Sequence, residues 1–390
     1  MPLAGGGVAT VQSRAGDGGS EMKTLSGRLR TRQGRKMLQP LIGSRSQLAG
    51  VTAVTHSGGS CHQVRALEVR TGGGLRFSIR PERGMEVADV EYDGIPFGFD
   101  TGVGPVHPDQ VPPGEDRWLS LYSGGLLTTA GLDQIGEPCE LDGVRYGLHG
   151  EIALQSAEDL GYEVDWLEGT IRVWGTLRQV LPTKRHLELV RTLTMPIGGT
   201  DIRLHDRVTN LSDRTEVHLI LYHLNLGYPL LDRGSRFVAP IVSTQGWDER
   251  SEAHREVSSL VPGLTGEEYL FGHQVAERGG WVTAGLLNPR LVPGGTFCAI
   301  SYRVRTLPRL WQWVSLRPGT FVMGIEPANG EILGRAASEA SRSLSRLEAG
   351  ASVDHLVQVS FGRGEESCAK LMAATGRILA RRRASRADGR

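Results

Sequence analysis

The chain has 390 residues, 39% of them hydrophobic and 22% charged, with a formal net charge of +1. So balanced a charge gives no electrostatic reason to expect nucleic acid or another polyanion as partner. No apolar run approaches the roughly 20 residues that a membrane helix needs, so no membrane partner is expected either. The length suits two domains or one large all-β unit.

In chain order, residues 1–38 predict a disordered N-terminal extension, because hydrophobicity is low and the patches Gly5-Gly6-Gly7 and Gly18-Gly19 oppose packing. Met22 and Met37 are candidate true starts. Short alternating strands then follow: Val64–Val69, Leu75–Ile79 and Met85–Tyr92, with Asp93-Gly94 as a hairpin signal. Residues 100–117 hold Pro105, Pro108, Pro112 and Pro113 and read as a long loop, a feature often tied to function.

Residues 151–240 are the most regular part, with consecutive strands at Tyr162–Leu167, Thr170–Leu177, His186–Met195, Asp201–Asn210 and Glu216–Leu226. Residues 245–280 read as a polar, irregular surface excursion. Strands resume at Trp281–Leu287, Thr296–Val304, Arg309–Val314, Thr320–Ile325 and His355–Phe361. One helix is predicted, over 364–383, where Cys368, Leu371, Met372 and Ile378 recur at helical spacing. The expected architecture is therefore all-β, a large antiparallel β-sandwich with few helices, since an open sheet of so many strands would curl or split. Its domain spans 39–365, followed by a C-terminal helix and basic tail over 366–390.

Cys61, Cys139, Cys298 and Cys368 are widely spaced and form no CxxC pair. Four free thiols and a cytoplasmic location are expected, with no metal site. No dinucleotide fingerprint is present, so no cofactor is expected.

Two polar islands interrupt apolar runs. In Leu219–Pro229, His223 and Asn225 share one strand face with Leu221, while Tyr222, Leu224 and Leu226 point the other way. Polar groups on an apolar face need partners or a ligand. A core histidine bonded to backbone and a ligand-facing pair both satisfy that demand. In Met323–Gly330, the lone carboxylate of Glu326 ends an apolar strand. A third histidine, His149, lies between glycines in Tyr146–Gly150, where a solvent-exposed turn residue is the plain alternative.

Three landmarks, in order, resemble the aldose 1-epimerase, or galactose mutarotase-like, superfamily. Thr209-Asn210 with His223 thirteen residues on is similar to its "TN…H" element, Leu148-His149-Gly150 to its "LHG" motif, and Gly324-Ile325-Glu326-Pro327 to its "EP" motif. Pro81–Met85 and Gly124–Leu132 resemble an uncharacterised branch of it. The resemblance covers about residues 40–365. It implies a galactose mutarotase-like supersandwich that interconverts the anomers of a free sugar, with Glu326 as base and His223 as acid. His149 would bond near the anomeric or ring oxygen, Asn225 would contact substrate, and Trp311 or Trp313 would offer flat faces unless they belong to the core.

The family's Asn-Arg pair before the first histidine is absent, and Arg83 or Arg145 is the expected substitute. The aromatic residues after the second histidine are replaced by Leu224-Asn225-Leu226. Both departures leave the sugar open. The implied partner is a small-molecule sugar, bound by a monomer or homodimer. Other readings are an isomerase or epimerase of a keto- or acidic sugar, a non-catalytic carbohydrate-binding sandwich, and a glycoside-cleaving enzyme, which would need two carboxylates. An acid and base serving one ring should stand roughly 5–8 Å apart.

Overall fold

The computed structural model describes residues 24–112, 114 and 116–375. Two large antiparallel sheets face each other. The first has eleven strands. From one edge it runs Gly50–Thr55, Arg65–Arg70, Leu75–Arg80, Glu86–Tyr92, Leu127–Leu132, Leu219–Gly227, Thr320–Ala328, Arg309–Arg317, Glu268–Val275 and Ile241–Gly246, with Ile95–Pro96 paired to Glu86–Tyr92. The second has eight, in the order Glu158–Asp165, Thr170–Leu181, Arg185–Pro196, Asp201–Asn210, Ser352–Arg363, Thr296–Arg303, Trp281–Asn288 and Arg236–Val238. The expected large β-sandwich is what the chain forms.

Alternation decides which side chains fill the space between the sheets. From the strand Leu219–Gly227, Ile220, Tyr222, Leu224 and Leu226 enter one core with Ile171, Leu189, Leu204 and Val357 of the opposite sheet. Leu219 and Leu221 point to the outer face and pack with Trp311 and Ile332. One polar network crosses the inner core. Asp206 accepts from Arg191 Nε at 2.9 Å and Nη2 at 2.6 Å, and from the Tyr222 hydroxyl at 2.7 Å. Arg191 also donates to Thr129 Oγ1 at 2.7 Å and to the Gly84 carbonyl at 3.0 Å. A buried pair this fully bonded ties the two sheets together and fixes which face of the central strand looks inward.

Four expectations need correction. Residues 24–38 belong to the fold, as helices Leu25–Arg30 and Arg32–Leu38 capped by the hydroxyls of Thr24 and Thr31. Leu29 is fully buried in the main core. Arg35, 3% exposed, donates to the carbonyls of Leu29, Trp166 and Leu167 at 2.7–2.9 Å. Two helices of six and seven residues are too short to display a period, and a buried arginine looks like a surface residue in a sequence. The rest of that expectation, residues 1–23, lies outside the described residues.

Within 245–280 the chain forms the strand Glu268–Val275 and the helix Glu249–Ala253. Tyr269 and Phe271 face the core, while Glu268, Leu270 and Gly272 alternate with them. The run Glu216–Leu226 is broken at His218, because Glu216–Val217 pairs with Arg346–Leu347 in a separate small sheet. Short helices also occur at Arg117–Ser120 and Gly334–Ala340. The C-terminal helix is present over 365–375, and the basic tail lies outside the described residues. All four cysteines are free.

Candidate active site

The outer face of the eleven-stranded sheet carries the polar islands. His223 is paired with Thr128 on one side of the central strand, and Asn225 with Gly324 on the other. Gly324 in turn faces Trp313, and Glu326 faces Trp311. Leu270 faces Trp313 on the next strand. His223, Glu326 and Trp313 thus come from three neighbouring strands on one face. They share a cavity of about 620 Å³ with His149.

His223 Nε2 stands 3.3 Å from Glu326 Oε1, though without the alignment of a hydrogen bond, and His223 Nδ1 has no partner among the described residues. Both side chains are nearly buried. The expected 5–8 Å separation is therefore wrong for this state of the site: the two groups touch on the cavity wall. Burial pushes the Glu326 carboxyl above the usual carboxylate range, with the His223 charge acting in the opposite direction. A carboxylate so disposed is a stronger base than one in water.

His149 reaches the same cavity from a turn, held at a φ of 57°. A non-glycine residue rarely takes this left-handed conformation, and doing so costs of order 1–3 kcal/mol, which surrounding contacts must offset. Here its amide donates to the Gly136 carbonyl at 2.9 Å, and its carbonyl accepts from Gly131 at 3.0 Å. Gly136 N–H also donates to Nδ1 at 3.2 Å. With Nδ1 accepting, a neutral ring carries its proton on Nε2. Burial, then the nearby His223, lower its pKa to about 3, so the ring is neutral at ordinary pH. Its ring centroid lies 4.6 Å from that of Trp118 and 5.8 Å from that of His223. The exposed-turn alternative does not hold for it.

Two expected substrate contacts lie elsewhere. Asn225 is fully buried beneath the cavity, where its Oδ1 accepts from the Tyr122 hydroxyl at 2.8 Å and its Nδ2 donates to the His223 carbonyl at 3.3 Å. It positions its neighbours. Arg83 is 1% exposed, 3.7 Å from Glu86 Oε2, and does not line the cavity. The alternative, Arg145, is largely exposed on the short hairpin strand Val144–Tyr146.

Arg317 lines the cavity, paired with Glu268 at 3.0 Å. Glu268 also accepts from the Trp313 indole at 2.8 Å, which fixes that ring against the cavity. Trp118 and Tyr122, stacked at 4.7 Å, form a further wall. Neither Glu268, Arg317, Trp118 nor Tyr122 was singled out from sequence. For Glu268 a signal existed, its alternation with Tyr269 and Phe271.

Among described residues no helix is long and apolar enough to cross a membrane. A structure described as a "putative aldose 1-epimerase" from Klebsiella pneumoniae is 24% identical, with a TM-score of 0.80 over 84% of this chain and 87% of that one. A galactose mutarotase-like protein from Clostridium acetobutylicum is 14% identical, with a TM-score of 0.59 over 81% and 99%. A galactose 1-epimerase from Lactobacillus acidophilus is 11% identical, with a TM-score of 0.53 over 81% and 99%. No curated protein matches the chain. The family model described as "Domain of unknown function (DUF4432)" matches residues 62–361, more than three quarters of the sequence. The chain belongs to the DUF4432 family and has the galactose mutarotase-like fold.

Proposed function

We propose that the protein interconverts the anomers of a neutral free sugar by acid–base ring opening and reclosure. The observation that carries this reading is the contact of His223 with a buried, raised-pKa Glu326 in a cavity that a neutral His149 also faces. Glu326 takes the proton of the anomeric hydroxyl. The bond from the anomeric carbon to the ring oxygen breaks as the carbonyl forms, and imidazolium His223 protonates the released ring oxygen. Rotation about the first carbon–carbon bond and the reverse transfers close the ring as the other anomer. A neutral His149 is a poor proton donor but a good hydrogen-bond donor through Nε2, so its role is to hold a sugar oxygen. Proton transfer is the whole of this chemistry, and no redox or group-carrying cofactor enters it.

The charge balance bears on the sugar. Glu137, Glu268 and Glu326 line the cavity against Arg317 and, in its acid form, His223, three carboxylates against two cations, an arrangement that disfavours a phosphorylated or acidic sugar. This favours a neutral substrate over the acidic sugars considered from sequence. The test is NMR exchange between anomers over a panel of neutral aldoses and ketoses. One sugar should exchange faster with enzyme than without, and Glu326→Gln should lower that rate at least 100-fold while the sugar still binds. Binding without acceleration for any sugar would identify a non-catalytic carbohydrate-binding protein instead.

A further inference from the structure

We infer that the natural substrate is the reducing end of a neutral oligosaccharide, whose second unit lies in a groove beside the candidate site. The inference rests on the sugar-binding reading of that site and extends it. A separate cavity of about 400 Å³ opens on the same sheet face and is lined in part by Trp247, Trp311, Gln245, Gln274, Arg309 and Glu331.

Register makes the two cavities neighbours. On the strand Arg309–Arg317, the outward residues Trp313 and Arg317 line the first cavity, and Arg309 and Trp311 the second. On Glu268–Val275, Glu268 and Leu270 line the first, and Gly272 and Gln274 the second. Trp311 and Trp313 are two residues apart, hence roughly 7 Å along the strand. Leu270 and Ile332, at the edge of the first cavity, pack with Trp311 at the edge of the second, so one apolar ridge separates them.

The second cavity has the chemistry of a sugar subsite. A Cβ on Gly272 would lie 2.8 Å from Trp311 Cζ3, so the glycine lets that indole lie down on the strand. Trp247 stands at 83° to it, with ring centroids 5.9 Å apart, and keeps 36% of its surface exposed. Trp311, only 8% exposed and donating its indole N–H to the Gly330 carbonyl, backs the groove, and Trp247 supplies the exposed face that suits the C–H face of a pyranose. The amides of Gln245 and Gln274 supply donors and acceptors for hydroxyls. Arg309 and Glu331 are paired at 2.7 Å, so the groove carries no uncompensated charge from them. A free monosaccharide would leave all of this unused. Ring opening needs a free anomeric hydroxyl, so the reacting unit is the reducing one. The chain then extends from a non-anomeric hydroxyl across the Leu270–Ile332 ridge.

The test compares neutral reducing disaccharides (cellobiose, lactose, maltose, melibiose) with their constituent hexoses. It uses NMR titration for affinity and anomeric exchange for turnover, on the full chain. At least one disaccharide should exceed its hexose about tenfold in affinity. Trp247→Ala should bring that ratio to about one, and Trp247→Phe should restore part of it. A ratio near one for every pair, or a ratio unmoved by Trp247→Ala, overturns the inference, and hexose exchange in that case would leave the mutarotase reading standing. Conversely, Trp247-dependent disaccharide binding without exchange of any sugar supports the groove and removes the mutarotase reading.

Discussion

Gly324 leaves a space with no side chain between Glu326, His223 and Trp313. A Cβ there would stand 2.5 Å from Glu326 Oε1, 3.0 Å from His223 Cε1 and 3.3 Å from Trp313 Cβ. The carboxylate would have to move, whereas the strand could still form. Gly324→Ala should therefore retain the fold, seen as an unchanged circular dichroism spectrum, and lose on the order of 100-fold in anomeric exchange, the penalty of a misplacement near 1 Å. Wild-type rates in that variant would mean that Glu326 is not the base. His223, with Asn225, and the lone carboxylate Glu326 stood out in sequence as polar groups in apolar runs, and the resemblance made His223 and Glu326 the candidate acid and base. Asn225 gave the same signal and is nevertheless consumed by Tyr122, 103 residues away in sequence. A strand pattern tells which face a polar residue occupies, but not whether a distant partner has already claimed it. Arg83 failed for a related reason, since nothing local marks an arginine as buried.

At the scale of elements, the site depends on which face of the strand Leu219–Gly227 looks outward, and the Arg191–Asp206–Tyr222 network settles this from the inner side. Arg191→Met should leave Asp206 as an uncompensated buried charge and destabilise the protein by about 3–5 kcal/mol in urea denaturation. Replacing both partners, as in Arg191→Met with Asp206→Leu, should recover much of that loss, because neither charge is then stranded. Equal losses in the single and double variants would show that the network holds nothing in register. Most strands between Val64 and Phe361 were legible, since period-two alternation survives wherever one face is buried. What escaped were the two short N-terminal helices and, in a stretch rich in polar residues, the strand carrying Glu268, which is paired on both sides. Their placement depends on contacts such as Arg35 with the Trp166 carbonyl, 131 residues on, which no local pattern encodes.

For the whole molecule, buried imidazoles set the response to acid. His218 and His355 meet at 2.9 Å through their Nε2 atoms, one from the entry to the central strand and the other from the facing sheet. One ring donates and the other accepts, so protonating both would place two donors face to face. Burial holds His218 well below its ordinary value, with the His355 charge adding to the effect. Burial takes His355 to about 4 despite the carboxylates of Asp206 and Asp354, and His273 also to about 4 despite its bond to Gln312. In the unfolded chain each would titrate near 6.5. Between about pH 6.5 and 4 the unfolded chain therefore binds more protons than the folded one, so stability rises with pH across that window and is fully present above it. His149, lowered to about 3 by burial, acts in the same sense as these three, while Glu326, raised on folding, works in the opposite sense. Lowering the pH from 7.5 to 5.5 should remove on the order of 5 kcal/mol, about 1.4 kcal/mol for each of the four histidines less the opposing contribution of Glu326. Against a typical total of about 5–15 kcal/mol, the urea midpoint should fall steeply over these two units. A midpoint that stays level from pH 7.5 to 5.5 would mean that these rings are protonated or solvated in the folded protein, and that the two sheets do not close around neutral histidines.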